Sequence, residues 1–337
     1  MKKIIISLII LFIIIAGIVG FDFYRKVSAP YKGFEKKVEV NIKQGSSVTA
    51  IAQLLYSKKI IANYYYFRLY YRLFFSGVHF KSGEYLFDKS YTMEQVIQKL
   101  AEGKVILYKI TVKEGLTIEE TAELLERQHK MHFERFVLKA KDFNLVRDID
   151  KKAEDLEGYL FPDTYMVHKG MTSEDFATLM VKKFKENFTN SMEWRARELN
   201  MNIREIVTLA SLIEKETSSR EERFLISSVF HNRLRIRMAL GCDPTIIYAL
   251  KRDNKYDGKI GWDDLKYKSP YNTRIYRGLP PGPICSPGFA SIEAALFPEN
   301  TKYLYFVAKD RRTHYFSKTL NEHNRAVRKY IINKKRK

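Results

Sequence analysis

Between Ile4 and Phe21 the chain reads IIISLIILFIIIAGIVGF, 18 residues without a charge. At about 1.5 Å per residue, a helix of this run spans roughly 27 Å, close to the thickness of a hydrocarbon core. A cleavable signal peptide is the nearest competing reading, but its apolar region usually covers only about 7–15 residues. The one small-x-small site nearby, Val27-Ser28-Ala29, is followed by Pro30, an unfavourable residue after a cleavage point. No Cys stands close enough for a lipoprotein anchor. The segment therefore reads as an uncleaved single span over 4–22, with residues 1–3 on one side and a polar, basic linker over 23–38 on the other. Lys2 and Lys3 face Arg25, Lys26, Lys32, Lys36 and Lys37 across the span, so the positive-inside rule does not choose the orientation.

The chain's 337 residues leave room for roughly two domains of about 150 residues. Hydrophobic residues make up 45% and charged residues 29%, a globular balance that excludes wholesale disorder. Lys and Arg number 59 against 39 Asp and Glu, a formal charge of +20. Such a balance implies an anionic partner: nucleic acid, lipid head groups or an acidic polymer. Two cysteines, Cys242 and Cys285, are too few for a disulfide framework, and no Cys/His spacing suggests a metal site. Neither a metal nor a cofactor is expected.

An internal repeat follows the linker. Val40-Asn41-Ile42-Lys43-Gln44-Gly45 is followed by Val48, Ile51, Ala52, Leu54 and Leu55. Seventy residues later stand Ile110-Thr111-Val112-Lys113-Glu114-Gly115, then Ile118, Thr121, Ala122, Leu124 and Leu125. Alternation, a Gly turn and helical spacing predict strand, turn and helix in each copy. Gly83 to Phe87 and Thr92 to Leu100 repeat the strand-to-helix pattern, with Thr92, Glu94 and Gln95 as a helix start. Units of this kind resemble LysM-type glycan-binding modules, over 39–106, with a second strand–helix copy and a connection over 107–155. An ordinary α+β adaptor is the plainer alternative. The aromatic run YYYFRLYYRLFF, Tyr64 to Phe75, has the spacing of a buried helix; a sugar-stacking or membrane-surface face is the alternative.

From 156 on, helical patterns cover Ser173 to Phe188, Ile203 to Thr217 and Glu221 to Arg237. A Pro- and Gly-rich stretch predicts loops from Asp243 to Pro298. Tyr303 to Val307 and His314 to Phe316 alternate around Asp310-Arg311-Arg312 as a hairpin, and a last helix covers Thr319 to Ile332. The expected fold class is α+β: a transmembrane helix, a small LysM-like α+β region, and a mainly helical domain over 156–337 with a small antiparallel hairpin.

The segment from Ile203 to Thr217, IREIVTLASLIEKET, is apolar around most of its circumference, as in a core helix. Two carboxylates at its C-terminal end, Glu214 and Glu216, are therefore unexpected. Burial and the negative end of the helix dipole both raise a carboxyl pKa, which is what a general acid requires. Two residues apart, they point about 200° from each other and form no close pair. The projection does not choose between them, and a solvated helix end is the plain alternative. Glu205 reads as surface.

LASLIEKETSSREERFLISSVFHNRLRIRMALGCDPTIIYAL, residues 209 to 250, resembles the signature of the YceG-like family of endolytic murein transglycosylases. So do Leu156 to Tyr165, SPYNTRIYRGLPPGPICSPG from Ser269 to Gly288, and Tyr303 to Asn324. With the anchor and the LysM-like region, the resemblance covers nearly the whole chain. It implies a lyase held in the cytoplasmic membrane by one span, with residues 1–3 cytoplasmic and the catalytic domain outside. It implies cleavage of nascent peptidoglycan strands to give 1,6-anhydromuramyl ends, terminating elongation, and association with cell-wall synthases. It also picks Glu216, the second Glu of Glu-Lys-Glu-Thr, as the catalytic residue. Cys242, Cys285 and His231 depart from the expected pattern.

Glu214 is expected to support the site structurally, or to face substrate with Asn232, Asp243, Thr245, Tyr248, Asn272 and Thr273. The segments around Asp243 and Tyr271 are expected to be cleft loops whose Asn, Thr and Tyr side chains suit sugar hydroxyl and acetamide groups. A membrane-tethered glycan-binding scaffold without catalysis is the rival reading. Nucleic acid is not expected, because no recognition motif accompanies the charge. The charge is expected to serve membrane lipid and wall polymer, most of all through the seven basic residues from Arg325 to Lys337.

Overall fold

A computed structural model describes residues 2–129, 131–310 and 313–333. Lys334 to Lys337, in the basic run expected to contact lipid and wall polymer, and Arg311 and Arg312, in the expected hairpin turn, lie outside the described residues. The chain divides into two compact units: residues 1–109 with 166–171, and residues 110–165 with 172–337.

The first unit opens with α1 (Lys2–Ser28). Its 18-residue uncharged run, Ile4 to Phe21, has mean hydropathy 3.2, and the large apolar side chains of that run lie exposed. The helix runs past residue 22, so the start of the stretch read as a linker is helical. No Pro or Gly stands between residue 22 and Pro30, and Lys26 Nζ lies 2.9 Å from Asp22 one turn back. Then come β1 (Val38–Ile42), α2 (Val48–Ser57), α3 (Tyr64–Phe74), β2 (Gly83–Phe87) and α4 (Met93–Glu102). β1 and β2 pair antiparallel, Val38 opposite Phe87 and Ile42 opposite Gly83. Alternate residues Val40 and Ile42 point inward onto Leu55, Phe67, Tyr85, Val96 and Leu100, which form this unit's core with Val27 and Phe34. α4 starts at the expected place, and its start is a capping box: Thr92 Oγ1 accepts from Gln95 N at 3.2 Å, and Gln95 Oε1 accepts from Thr92 N at 3.1 Å.

α3 departs from expectation. Of its residues only Phe67 is buried, while Tyr65, Leu69, Leu73 and Phe74 are exposed. Aromatic spacing predicts a helix correctly, but the small core beneath it accepts one edge only.

The next elements are β3 (Tyr108–Thr111), α5 (Ile118–His129), α6 (Phe133–Ala140) and β4 (Thr164–Val167); β3 pairs with β4. Both repeat copies therefore form strand, turn and helix. Gly45 and Gly115 hold the turns at φ of +78° and +79°, where a side chain would be strained.

The second unit continues with α7 (Ser173–Asn187), α8 (Asn190–Glu198), α9 (Ile203–Glu216), α10 (Arg220–Arg235), α11 (Asp243–Arg252) and α12 (Phe289–Leu296). It ends with β5 (Tyr305–Ala308), β6 (His314–Ser317) and α13 (Leu320–Val327). β5 and β6 form the predicted hairpin, Tyr305 opposite Ser317 and Ala308 opposite His314. α9 is the central helix, packed by α8, α10, α11 and α12 and buried from Ile206 through Ile213. α11 and α12 correct the loop reading of Asp243 to Pro298. Pro244 sits in the first turn of α11, where a missing N–H costs nothing, so it starts a helix rather than breaking one.

Candidate active site

α9 is fixed at both ends by its own sequence. At its start Asn202 Oδ1 accepts from Glu205 N at 3.0 Å, and Glu205 Oε2 accepts from Asn202 N at 2.8 Å. Glu205 is therefore a capping residue, a role its surface reading missed. At its end Thr217 leaves the helix in extended conformation. Thr217 Oγ1 accepts from Ser219 N at 3.0 Å, turning the chain into α10, whose first turn Ser219 caps.

The two carboxylates of this end face different surroundings. Glu214 has a side chain only 7% exposed. One oxygen accepts from Arg223 Nη2 at 3.1 Å; the other accepts from Gly288 N at 3.0 Å and Ser291 Oγ at 2.7 Å. Gly288 is the N-cap of α12, so Glu214 also meets the positive end of that helix. Arg223 reaches a third carboxylate, Glu114, at 3.5 Å. Burial and the Glu214 charge push the Glu114 carboxyl up, against the pull of Arg223.

Glu114 belongs to the Gly turn of the second repeat copy, and that turn is stitched to the end of α9. Lys215 Nζ donates to Gly115 O at 2.8 Å. Gly115 N donates to Ser286 O, and Ser286 N to Leu116 O, both at 2.8 Å. The repeated turn thus forms one wall beside α9.

Glu216 is half-buried on the other side. Burial raises its carboxyl above the usual range, and the Asp243 charge adds to this. A hydrogen bond with the Cys242 thiol and the charges of His314 and Arg233 act against the rise without cancelling it. Cys242 is itself buried, which pushes its thiol well up and keeps it protonated as a donor. Arg233 is held by Leu304 O at 2.6 Å and Leu240 O at 2.5 Å, and lies over the Tyr305 ring. His314 is oriented by Glu222, 2.7 Å from its Nδ1. A carboxyl with a raised pKa at a rigid helix end, beside one thiol donor and in the field of Arg233 and His314, is suited to give a proton and take one back.

A cavity of about 850 Å³ on the second unit lies at the opposite end of α9, beside Arg204, Glu205, Thr208 and His231. A smaller one of about 210 Å³ is lined by Thr117, Lys215, Pro244 and Tyr248. Neither is lined by Glu216, so the chemistry of the side chains, not cavity size, marks the site. Among the described residues no cluster of three or more His, Cys, Asp or Glu is arranged for a metal ion.

A profile of the YceG-like family matches residues 40–329. The chain belongs to the YceG-like family. It is 35% identical over 322 residues to an endolytic murein transglycosylase of Bacillus subtilis (strain 168), covering 91% of this chain and 88% of that protein. It is 27% identical to an endolytic murein transglycosylase of Streptococcus pneumoniae serotype 2, covering 94% of this chain and 63% of that longer protein. A crystal structure of a YceG-like protein from Listeria monocytogenes superposes with a TM-score of 0.58 at 34% identity, over 86% of this chain and 98% of that one.

The remaining expected site residues of this YceG-like chain fall into two groups. Cys242, Thr245 and Thr273 form a buried knot under Glu216. Cys242 N donates to Thr273 Oγ1 at 3.0 Å, Thr245 Oγ1 donates to Cys242 O at 2.6 Å, and the two hydroxyls lie 3.0 Å apart. Asp243 is half-exposed beside them and ion-paired with Arg274 at 2.6 Å. Asn232 and Asn272 stand apart. Asn232 Nδ2 donates to Thr301 O and Tyr303 O, both at 2.9 Å. Asn272 Nδ2 donates to Leu265 O at 3.2 Å and Tyr267 O at 2.9 Å. Their amides thus clamp backbone.

Tyr248 points its hydroxyl at buried Glu157 Oε2, 3.4 Å away, rather than at solvent. The Asp243–Tyr248 segment is a helix turn, not the cleft loop expected. Arg233, Arg223, Glu114 and Glu157 escaped the sequence reading. Nothing local distinguishes them from surface charges, and only the family motif around Arg223 and Arg233 could have drawn attention to them.

Proposed function

We propose that this chain is a membrane-anchored peptidoglycan lytic transglycosylase that cuts glycan strands internally, with Glu216 as its acid and base. Protonated Glu216 gives its proton to the glycosidic oxygen between N-acetylmuramic acid and N-acetylglucosamine. The muramyl C1–O bond breaks as that oxygen leaves. The muramyl C6 hydroxyl then attacks C1, and its proton returns to the Glu216 carboxylate. The product end is a 1,6-anhydro ring, and neither water nor a second enzyme carboxylate takes part. Hydrolases that place two carboxyl groups across the bond differ in this respect.

The observation that carries this reading is the raised carboxyl of Glu216 at the end of a core helix, beside Cys242, Arg233 and His314. A non-catalytic glycan-binding scaffold leaves that arrangement without a use. Asp243 is the expected substrate-side neighbour. Thr245 and Thr273 brace Cys242, while Glu214, Asn232, Tyr248 and Asn272 shape the cleft. The order β1–α2–α3–β2, with its antiparallel pair, supports a LysM-like role in glycan binding for residues 39–106. α1 supports a single-pass anchor; the cytoplasmic membrane, with the rest of the chain outside, is where such an enzyme meets nascent strands and their synthases.

The test is full-length, detergent-solubilised protein acting on uncrosslinked glycan strands, with products read by mass spectrometry. Internal fragments with anhydro ends are expected from the native chain and not from Glu216→Gln. Reducing ends from the native chain would make it a hydrolase. Anhydro ends from the variant would displace Glu216.

A further inference from the structure

We propose that α3 is a second membrane-contacting element, an amphipathic helix lying in the head-group layer beside the end of the span. The proposal rests on the reading of α1 as a membrane anchor. It begins from the stripe that overturned the burial expectation. Tyr65, Leu69 and Leu73 recur at i, i+4 and i+8 and are 61%, 45% and 59% exposed. Arg68 and Arg72 flank them on one side, and the helix, YYYFRLYYRLF, carries no acidic residue. An apolar stripe beside basic residues is the pattern of a helix in a membrane interface.

What decides the occupant is where α1 touches α3. Tyr66, which borders the stripe on the side away from the arginines, packs edge-on against Phe23 with ring centres 5.3 Å apart. Its hydroxyl donates to Asp22 at 3.0 Å, and Lys26 lies over its ring. Asp22, Phe23 and Lys26 follow the last residue of the uncharged run by one, two and five positions. At about 1.5 Å per residue these contacts lie roughly 1.5–7.5 Å beyond the span. The head-group layer on each face is about 5–7 Å deep. α3 is thus clamped to α1 at the depth of that layer, with its apolar stripe continuous with the clamped edge. Arg68 and Arg72, with Arg25, suit anionic head groups. A second copy of the chain or a glycan would have no reason to need this position against the span.

The test uses the full chain in vesicles of phosphatidylcholine and phosphatidylglycerol, with one fluorophore-labelled cysteine at a time. Cys242 and Cys285 are buried, so labelling is confined to the introduced thiol. Labels at Leu69→Cys and Leu73→Cys should be quenched several-fold more by nitroxide lipids than one at Lys259→Cys, an exposed position in the second unit. They should also be shielded from aqueous iodide. A label at Phe12→Cys reports on the anchor itself. Deep quenching at 12 with 69 and 73 behaving like 259 overturns the proposal and leaves the anchor standing; no lipid quenching at 12 removes the anchor and the proposal with it. Iodide shielding at 69 that varies with protein-to-lipid ratio, without lipid quenching, assigns the stripe to a second copy and overturns the proposal as well.

Discussion

Glu214 faces Arg223, Gly288 and Ser291, whereas Glu216, two residues on along the same helix, faces Cys242, Asp243, Arg233 and His314. One carboxylate is locked into the fold by an ion pair and two further hydrogen bonds. The other meets a weak thiol donor and more distant charges, and burial raises its carboxyl pKa. The helical rotation of about 200° between them gives the two carboxylates of one helix end different surroundings.

The first prediction separates these roles by stability. Glu214→Ala leaves Arg223 without its buried partner and the α12 N-terminus without its anion. Breaking a buried pair from one side costs about 3–5 kcal/mol. A melting temperature lowered by several degrees is expected, with Glu214→Gln intermediate. Glu216→Gln should melt within a degree or two of the native chain yet lose at least about 100-fold in strand cleavage, the usual scale for removing a general acid.

The second concerns the pH profile. Glu216 must be protonated to act as acid, so kcat/KM falls as pH rises through its pKa. The Cys242 thiol stabilises the ionised form; Cys242→Ala should therefore raise that pKa and move the alkaline limb to higher pH. Asp243 disfavours the ionised form, so Asp243→Asn should move the limb to lower pH. Rates of anhydro-fragment release across pH would read both shifts. Shifts in the same direction would contradict the arrangement around Glu216.

The third concerns Glu157, which no step of the reaction uses. It is 3% exposed and accepts from Ile118 N and Tyr248 Oη, both at 3.4 Å. Burial pushes its carboxyl well above 4.5, with the charges of Asp155 and Glu119 adding to the rise. An acid whose folded pKa exceeds its unfolded value contributes stability that is complete below the unfolded pKa and lost as pH rises through the folded one. Glu157→Gln, which cannot ionise, should flatten the fall of melting temperature above about pH 4.5, where an unfolded Glu titrates. An unchanged slope would mean that Glu157 is already neutralised by other means.

The fourth tests the wall made by the repeated turn. Lys215→Met removes the bond to Gly115 O but keeps a long apolar stem. Losing one charged hydrogen bond to backbone costs about 1.5–3 kcal/mol. Amide exchange at Gly115 and Leu116 should speed up more than exchange within α9, because the latter is held by core packing. Equal acceleration in both segments would show that the turn and the helix open as one.

Features that depend on neighbours in sequence were legible without the fold. The uncharged run from Ile4 to Phe21, the turns at Gly45 and Gly115, the cap at Thr92 and the hairpin around Asp310 all arise from side chains within a few residues of one another. Hydrophobic period and turn chemistry register such features directly. Glu216 as the acid came instead from family resemblance, since helical projection alone left it level with Glu214. Tertiary structure decided what each polar residue is for. Ser291 reaches Glu214 across 77 residues, and the carbonyl of Thr301 takes the amide of Asn232 across 69. It also decided that α3 shows an apolar stripe, because the core beneath holds only Phe67 of that helix. Sequence sets which groups are present and how each segment curls. Burial and partner choice belong to distant segments, and they determine which carboxylate is tied into the fold and which has its pKa raised.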